Sequence, residues 1–264
     1  MHNSHPIGVF DSGIGGTSIW REINLLLPNE NTIYLADSAN APYGNQSPEK
    51  IVELSIKNTE YLIDKNCKVI VIACNTATTN AIKLLRNSYD IPFVGIEPAI
   101  KPAALNTQSN CIGILATKGT LSSSLFTETS DKFASNIQII EQAGTGIVEL
   151  IESGKLHSKE MTLLLEIYLK PMQEKKIDYL VLGCSHYPYL TPQIQHILGK
   201  DVTIIDSGFA VAKHVQSIVT SSNLLSDSTD RGTHEFLSNA KDMSTLKSII
   251  GALHSKYSIS SLKF

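Results

Sequence analysis

Two cysteines occupy matching places in this chain, each where an apolar strand gives way to a polar turn. Cys74 follows VIVI at residues 69–72 and Ala73, while Cys184 ends DYLVLGC at residues 178–184. After Cys74 come Asn75 and Thr76, then Thr78, Ala81, Ile82 and Leu85, whose i, i+3, i+4, i+7 spacing announces a helix. After Cys184 come Ser185 and His186, and Thr191 with Pro192 opens a further helix. In an open parallel sheet ligands sit at the carboxyl ends of the strands, so both sulfurs stand where chemistry is done. A free thiol ionises at about pH 8.5, lower beside a helix N-terminus or polar neighbours, so each can serve as thiol or thiolate. Held on opposite faces of a carbon bearing an acidic hydrogen, one sulfur removes the proton and the other delivers one, inverting the centre. That is racemisation or epimerisation with no cofactor and no metal.

The flanking residues suit a small zwitterion. Asn75, Thr76, Ser185 and His186 supply neutral donors and acceptors, and backbone N–H groups at the helix N-termini suit a carboxylate. Asp11 with Ser12, at a neighbouring strand end, can take an ammonium group or tune the first thiol. Tyr43 and Gly44 lie in a loop able to close over a ligand.

These turns need elements to hold them. Residues 7–10 read as a strand, followed by the turn Gly13, Ile14, Gly15, Gly16 and a helix with Ile19, Ile23 and Leu26 on one face. A second strand, 32–36, ends at Asp37, and the loop DSANAPYGNQS after it is broken by Pro42 and Gly44. Ser47 caps the next helix, with Pro48 at its first position and Glu49 favouring the dipole. Residues 91–96 make another strand. From Glu97 and Pro98 the pattern begins again: CIGILATKGT at 111–120 echoes IGVFDSGIGGT at 7–17, which suggests internal duplication. The second half carries strands at 137–140 and 202–205 and helices at 146–153 and 209–219. A longer helix, capped by Ser158, bears the stripe Met161, Leu164, Leu165, Tyr168. Residues 220–233 read as a polar surface loop and 234–237 as an edge strand. Leu246, Ile249, Ile250 and Leu253 mark a last helix expected to pack on the first half. Strands alternating with helices predict right-handed crossovers and parallel sheets.

Composition excludes several classes. With 264 residues, 42% hydrophobic, 18% charged and net charge −3, the chain is an ordinary globular one without the basic surface that nucleic acid requires. The start MHNSHPIGVF has no basic or apolar leader region, and no run nears the roughly 18 apolar residues of a membrane span, so a cytoplasmic protein is expected. Cys67, Cys74, Cys111 and Cys184 contain no C-x-x-C pair, which argues against a zinc site or a disulfide framework. Cys67, ending a helix, and Cys111, beginning a strand, read as small buried hydrophobes.

Taken together, DSGIGG at 11–16, APYG at 41–44, ACNTAT at 73–78, ATKGT at 116–120, VELIESG at 148–154 and GCSHYPYL at 183–190 resemble the glutamate racemases of the aspartate/glutamate racemase superfamily. The resemblance runs from about residue 7 to about residue 219. It implies Cys74 and Cys184 as the catalytic bases, the first acting on the D-enantiomer and the second on the L. It also implies Asp11 assisting Cys74, and Glu152 with His186 assisting Cys184. Substrate contacts would fall on Asp11, Ser12, Tyr43, Gly44, Asn75, Thr76, Ser185 and His186. The implied fold is two similar, pseudo-symmetric α/β domains with mostly parallel sheets and the active site in the cleft between them. Residues 1–97 with about 208–264 would form the Cys74 side, and 98–207 the Cys184 side. A homodimer supplying D-glutamate for peptidoglycan is implied, with no cofactor. The chain departs from the family in having Ser185, where Thr is common after the second Cys, and Asn40 and Ala41, where many members carry Arg.

Other readings share some residues. Gly13, Gly15 and Asp37 imitate a dinucleotide-binding fingerprint, but Ser18 stands at the third glycine position and Asp11 sets a carboxylate where pyrophosphate would approach. A Cys–His hydrolase would use Cys184 and His186 and leave Cys74 idle. A two-lobed binding protein explains the repeat but needs no thiols. Aspartate is an alternative substrate, since one methylene is worth only about 1 to 3 kcal/mol to a pocket. Among single residues, Trp20 reads as packing, and Tyr187 and Tyr189 as entrance or packing. His157, His196, His214, His234 and His254 read as surface, Glu152 alone as a solvated helix face, and Asp206 with Ser207 as an echo of Asp11 with Ser12.

Overall fold

In the computed structural model, which describes residues 3–134, 136–251 and 257–262, the apolar runs become strands buried on both faces, as parallel sheets covered by helices require. The chain opens with β1 (Ile7–Asp11), α1 (Thr17–Leu26), β2 (Thr32–Ala36), α2 (Pro48–Asp64), β3 (Val69–Ile72), α3 (Asn75–Ser88) and β4 (Phe93–Gly95). Next come α4 (Ile100–Asn106), β5 (Cys111–Ala116), α5 (Lys118–Leu121), α6 (Ser124–Ala134), β6 (Gln138–Ala143), α7 (Ile147–Glu152), α8 (Lys159–Glu174) and β7 (Tyr179–Gly183). The rest is α9 (Thr191–Leu198), β8 (Thr203–Ile205), α10 (Gly208–Ser221), β9 (His234–Ser238), α11 (Ser244–Gly251) and β10 (Tyr257–Ser261).

Two sheets result, ordered β10-β9-β2-β1-β3-β4 and β6-β5-β7-β8, with every pairing parallel. Register places the site. Phe10 pairs with Leu35 and with Ile72, so β1 and β3 end level and bring Asp11, Ser12 and Cys74 to one rim. In the other sheet Ala116 pairs with Gly183, which brings Thr117 level with Cys184. The cap predicted at Ser47 is present, its hydroxyl accepting from the Lys50 amide at 3.3 Å, and Ser158 does the same for Met161 at 3.1 Å. Each such cap contributes about 1 kcal/mol. Met161 and Leu165 of the α8 stripe are buried, while Leu164 and Tyr168 are half-buried and Leu169 and Met172 complete the face. Among the described residues no helix is long and apolar enough to cross a membrane.

The chain passes between the sheets after β4 and again after β8, and the two crossings touch: the Ser207 hydroxyl donates to the Glu97 carbonyl. The echo expected at Asp206 is real in geometry. Its carboxylate accepts from the Gly208 amide at 2.6 Å, as that of Asp11 accepts from Gly13 at 2.7 Å.

The tail differs from expectation. The strand at 234–238 is interior rather than an edge, because Tyr257–Ser261, too rich in serine to stand out as a strand, pairs outside it. Since β9 ends level with β2 at the rim facing the second sheet, α11 leaves there and meets α7. The Thr245 hydroxyl donates to the Glu152 carbonyl at 3.1 Å. The helix therefore contacts the second half, and Leu253 lies outside the described residues. Cys67 sits in the connection after α2 rather than at the helix end. His234 is buried, whereas His157, His196 and His214 are exposed as expected, and His254 lies outside the described residues. Trp20 donates its indole N–H to the Thr32 hydroxyl at 2.8 Å, and that hydroxyl lies 2.9 Å from His234 Nδ1. Burial pushes the His234 pKa down to about 4, so the imidazole is neutral.

One buried ion pair ties distant segments together. Lys68 Nζ lies 2.5 Å from Glu30 Oε2 and donates to the carbonyls of Asn3 and Leu224 at 2.7 and 2.6 Å, while the Ser226 amide donates to Glu30 Oε1 at 2.8 Å. Removing the cation strands a buried carboxylate, so Lys68→Met should destabilise the protein by about 3 to 5 kcal/mol. Urea denaturation checks this, and an unchanged midpoint would show that the pair holds nothing.

Candidate active site

Cys74 is the N-cap of α3. Its extended backbone turns the strand into the helix, and its sulfur accepts from the Ala77 amide at 3.4 Å, at the positive end of the helix dipole. The thiol donates to Ser12 Oγ at 3.6 Å, and that hydroxyl lies 3.5 Å from Asp11 Oδ1. Asp11 is fully buried, with Gly13 N–H at one oxygen and the Ser185 hydroxyl, 2.7 Å away from across the cleft, at the other. Burial pushes Asp11 up to about 6, against the lowering pull of the His186 charge and of its hydrogen bonds. Burial, with the neighbouring Asp11 charge, pushes Cys74 up to about 12. Cys74 is therefore a thiol at neutral pH.

Cys184 comes from the opposite sheet and has different support. Its sulfur lies 3.8 Å from His186 Nδ1, and His186 Nε2 lies 2.6 Å from Glu152 Oε1. Burial alone would lower the His186 pKa, but its bonds to Cys184 and Glu152 and the Glu152 charge raise it well above the ordinary value, so the ring is an imidazolium. Glu152 is not a solvated-face residue. Its carboxylate also accepts from the Ile14 amide at 2.6 Å and the Ser38 hydroxyl at 3.0 Å, both on the first half.

The glycine turn explains itself here. A Cβ on Gly13 would stand 2.0 Å from Glu152 Oε1, and one on Gly15 would stand 2.2 Å from His186 Nδ1. These glycines admit a carboxylate and an imidazole from the other half, the use of a missing side chain where groups approach backbone closely. Asp37 likewise serves the protein itself, accepting from the Tyr43 hydroxyl at 2.5 Å.

Both sulfurs face one cavity, lined also by Tyr43, Asn75, Thr76 and Thr117, with a volume of about 10 Å³, the room of a single water. Among the described residues neither lysine nor arginine lines it. The side-chain oxygen and nitrogen of Asn75 are both buried without a partner among the described residues, the kind of exception that marks a function. Thr76 Oγ1 lies 2.8 Å from Thr117 Oγ1 and 3.3 Å from Thr120 Oγ1, joining hydroxyls from both halves. Thr117 and Thr120 were not singled out from the sequence; the signal was a Thr-x-x-Thr at a strand end equivalent to that of Asp11. Gly44 packs on Thr117, its absent Cβ 3.0 Å from that residue's. Tyr43 turns its hydroxyl away from the cavity, and burial beside Asp37 drives its pKa far above the ordinary value, so it stays a donor. Tyr187 and Tyr189 line no part of this cavity: Tyr187 donates to the Gly144 carbonyl at 3.2 Å, and Tyr189 shares a short hydrogen bond with the Thr17 hydroxyl.

The site has counterparts of known type. The sequence matches the family described as Asp/Glu/hydantoin racemase over residues 7–215. Glutamate racemase of Pseudomonas syringae pv. tomato is 43% identical over 238 residues, which is 90% of this chain and 86% of that one. Among solved structures, Escherichia coli glutamate racemase in complex with L-glutamate aligns with a TM-score of 0.86 at 32% identity over 98% of both chains. The Francisella tularensis glutamate racemase in complex with D-glutamate aligns with a TM-score of 0.83 at 30% identity, again over 98% of both. The resemblance read from the motifs and the α/β fold of two parallel sheets thus hold, and this chain belongs to the Asp/Glu/hydantoin racemase family.

Proposed function

We propose that this protein interconverts L- and D-glutamate by passing the α-proton between two thiols, and so supplies D-glutamate for peptidoglycan. The observation that supports it is a single cavity walled by Cys74 from one sheet and Cys184 from the other, each backed by a carboxylate. Ser12 and Asp11 stand behind Cys74; His186 and Glu152 stand behind Cys184. Relatives that hold L- and D-glutamate support the choice of substrate.

In the L-to-D direction Cys184, as thiolate beside the His186 cation, takes the α-proton, and the Cys74 thiol gives its own to the opposite face. This leaves a Cys184 thiol and a Cys74 thiolate, and D-glutamate runs the same step backwards. A Cys74 thiol, with its pKa near 12, is the state that accepts L-glutamate. Asn75, Ser185 and the amides opening α3 would hold the α-carboxylate, and the hydroxyls of Thr76, Thr117 and Thr120 the side-chain carboxylate. A substrate far larger than one water enters only when the halves part, the units proposed being 1–97 with about 208–264, and 98–207.

Incubating D-glutamate, and separately D-aspartate, in D2O while following optical rotation and the α-proton signal tests this reading. Glutamate should lose both, and Cys74→Ser and Cys184→Ser should each slow racemisation by about 10²- to 10⁴-fold, the usual size of a lost acid or base. If neither amino acid exchanges its proton, the reading is wrong.

Asp11 yields a second expectation. Its folded pKa of about 6 exceeds the ordinary carboxyl value of 3.8, so the unfolded chain binds fewer protons between those values and stability falls as pH rises through that window. Asp11→Asn should therefore melt above the wild type at pH 7, with the gap closing toward pH 4, while losing most racemisation. Equal pH dependence of melting in the two proteins would refute the burial argument.

A further inference from the structure

Asn239 lies just beyond β9, in a tail segment that belongs to none of the motifs, yet its carboxamide is fastened into the active-site loop. Its Nδ2 donates to Asp37 Oδ1 at 2.5 Å, and its Oδ1 accepts from the Ala39 amide at 2.8 Å, so it clamps the Asp37 carboxylate and the Ala39 backbone, one on each side of Ser38. Two walls of the cavity hang from that clamp. Ser38 donates to Glu152, the carboxylate behind His186 and Cys184. Asp37, buried and also accepting from Asn40 at 2.8 Å, holds the Tyr43 hydroxyl, which Asn58 supports from α2 at 3.0 Å.

Resting on the racemase reading above, we propose that Asn239 is a positioning residue for the reaction: through Ser38 it sets Glu152, and through Asp37 it sets Tyr43 and the loop that covers the substrate. Its amide has the one donor and one acceptor that the clamp demands, and neither an ionised Asp nor Ala supplies both. Small displacements of groups that orient a reaction cost up to about a hundredfold in rate. The site's geometry is thus fixed partly from the tail of the chain.

The experiment compares Asn239→Ala and Asn239→Asp with the wild type, measuring kcat and KM for glutamate in both directions from pH 6 to 9, at a temperature well below each protein's melting transition. Asn239→Ala should lose roughly ten- to a hundredfold in kcat/KM, shared between a higher KM from the loosened loop and a lower kcat from the displaced Glu152, by a factor constant with pH. Asn239→Asp sets two carboxylates against each other, which bind one proton between them as pH falls. Its kcat/KM relative to wild type should therefore rise toward pH 6 as that proton restores the donor, a recovery that a merely structural role would not give. Wild-type kinetics in both folded variants, or losses in Asn239→Asp that do not vary with pH, would overturn the assignment. Failure of the wild type itself to exchange the α-proton would instead overturn the racemase reading on which it rests.

Discussion

Glu152 and His186 reach the first half of the molecule through space that exists only because Gly13 and Gly15 have no side chains. Burying a carboxylate and an imidazolium costs several kcal/mol per ion unless their remaining hydrogen-bonding positions are filled. Here they are: the Ile14 amide and Ser38 meet the carboxylate, and the Cys184 sulfur meets the ring. The contact closes the cleft, orients the ring against Cys184 and holds a positive charge near Asp11. Several features that would otherwise look unrelated, among them the glycine turn, the short helix α7 and the polar turn after β2, meet in this one contact.

The two thiols are equivalent in topology and unequal in chemistry. One is backed by a hydroxyl and a carboxylate, the other by an imidazolium and a carboxylate, so the cavity carries a built-in electrical direction. Its lining is otherwise neutral. Oriented hydroxyls, amides and a helix terminus leave negative charge on a carboxylate or a developing carbanion less pinned than a lysine or arginine would, and they need little reorganisation as charge moves. Burying Asp11 is the stability cost of that arrangement, and the cores on both faces of each sheet offset it.

What could be read in the sequence was what is local. The strand–thiol–helix units at Cys74 and Cys184 were legible because apolar runs, polar turns and helical spacing lie within a dozen residues, and the motif set then carried the family. The partners of Glu152 were not legible, since Ile14 and Ser38 are more than a hundred positions away and nothing in a helical glutamate says which face it turns inward. His234 looked like a surface residue because its burial depends on Trp20 and Thr32, from the other end of the chain. The interior position of β9 was hidden by the polar composition of β10, whose backbone pairing matters more than its side chains. The glycines imitate a dinucleotide fingerprint for a physical reason: the same demand for close approach arises at a phosphate and at a protein carboxylate.

The tie between Ser207 and Glu97 has a mechanical meaning. Two crossings fastened to each other hold the halves together at their narrowest junction, on the chain as well as through the cleft. The contact of Glu152 with the glycine turn, the packing of Gly44 on Thr117 and the approach of the two sulfurs all bridge the same two sheets, so any parting of the sheets on that side would undo the three together.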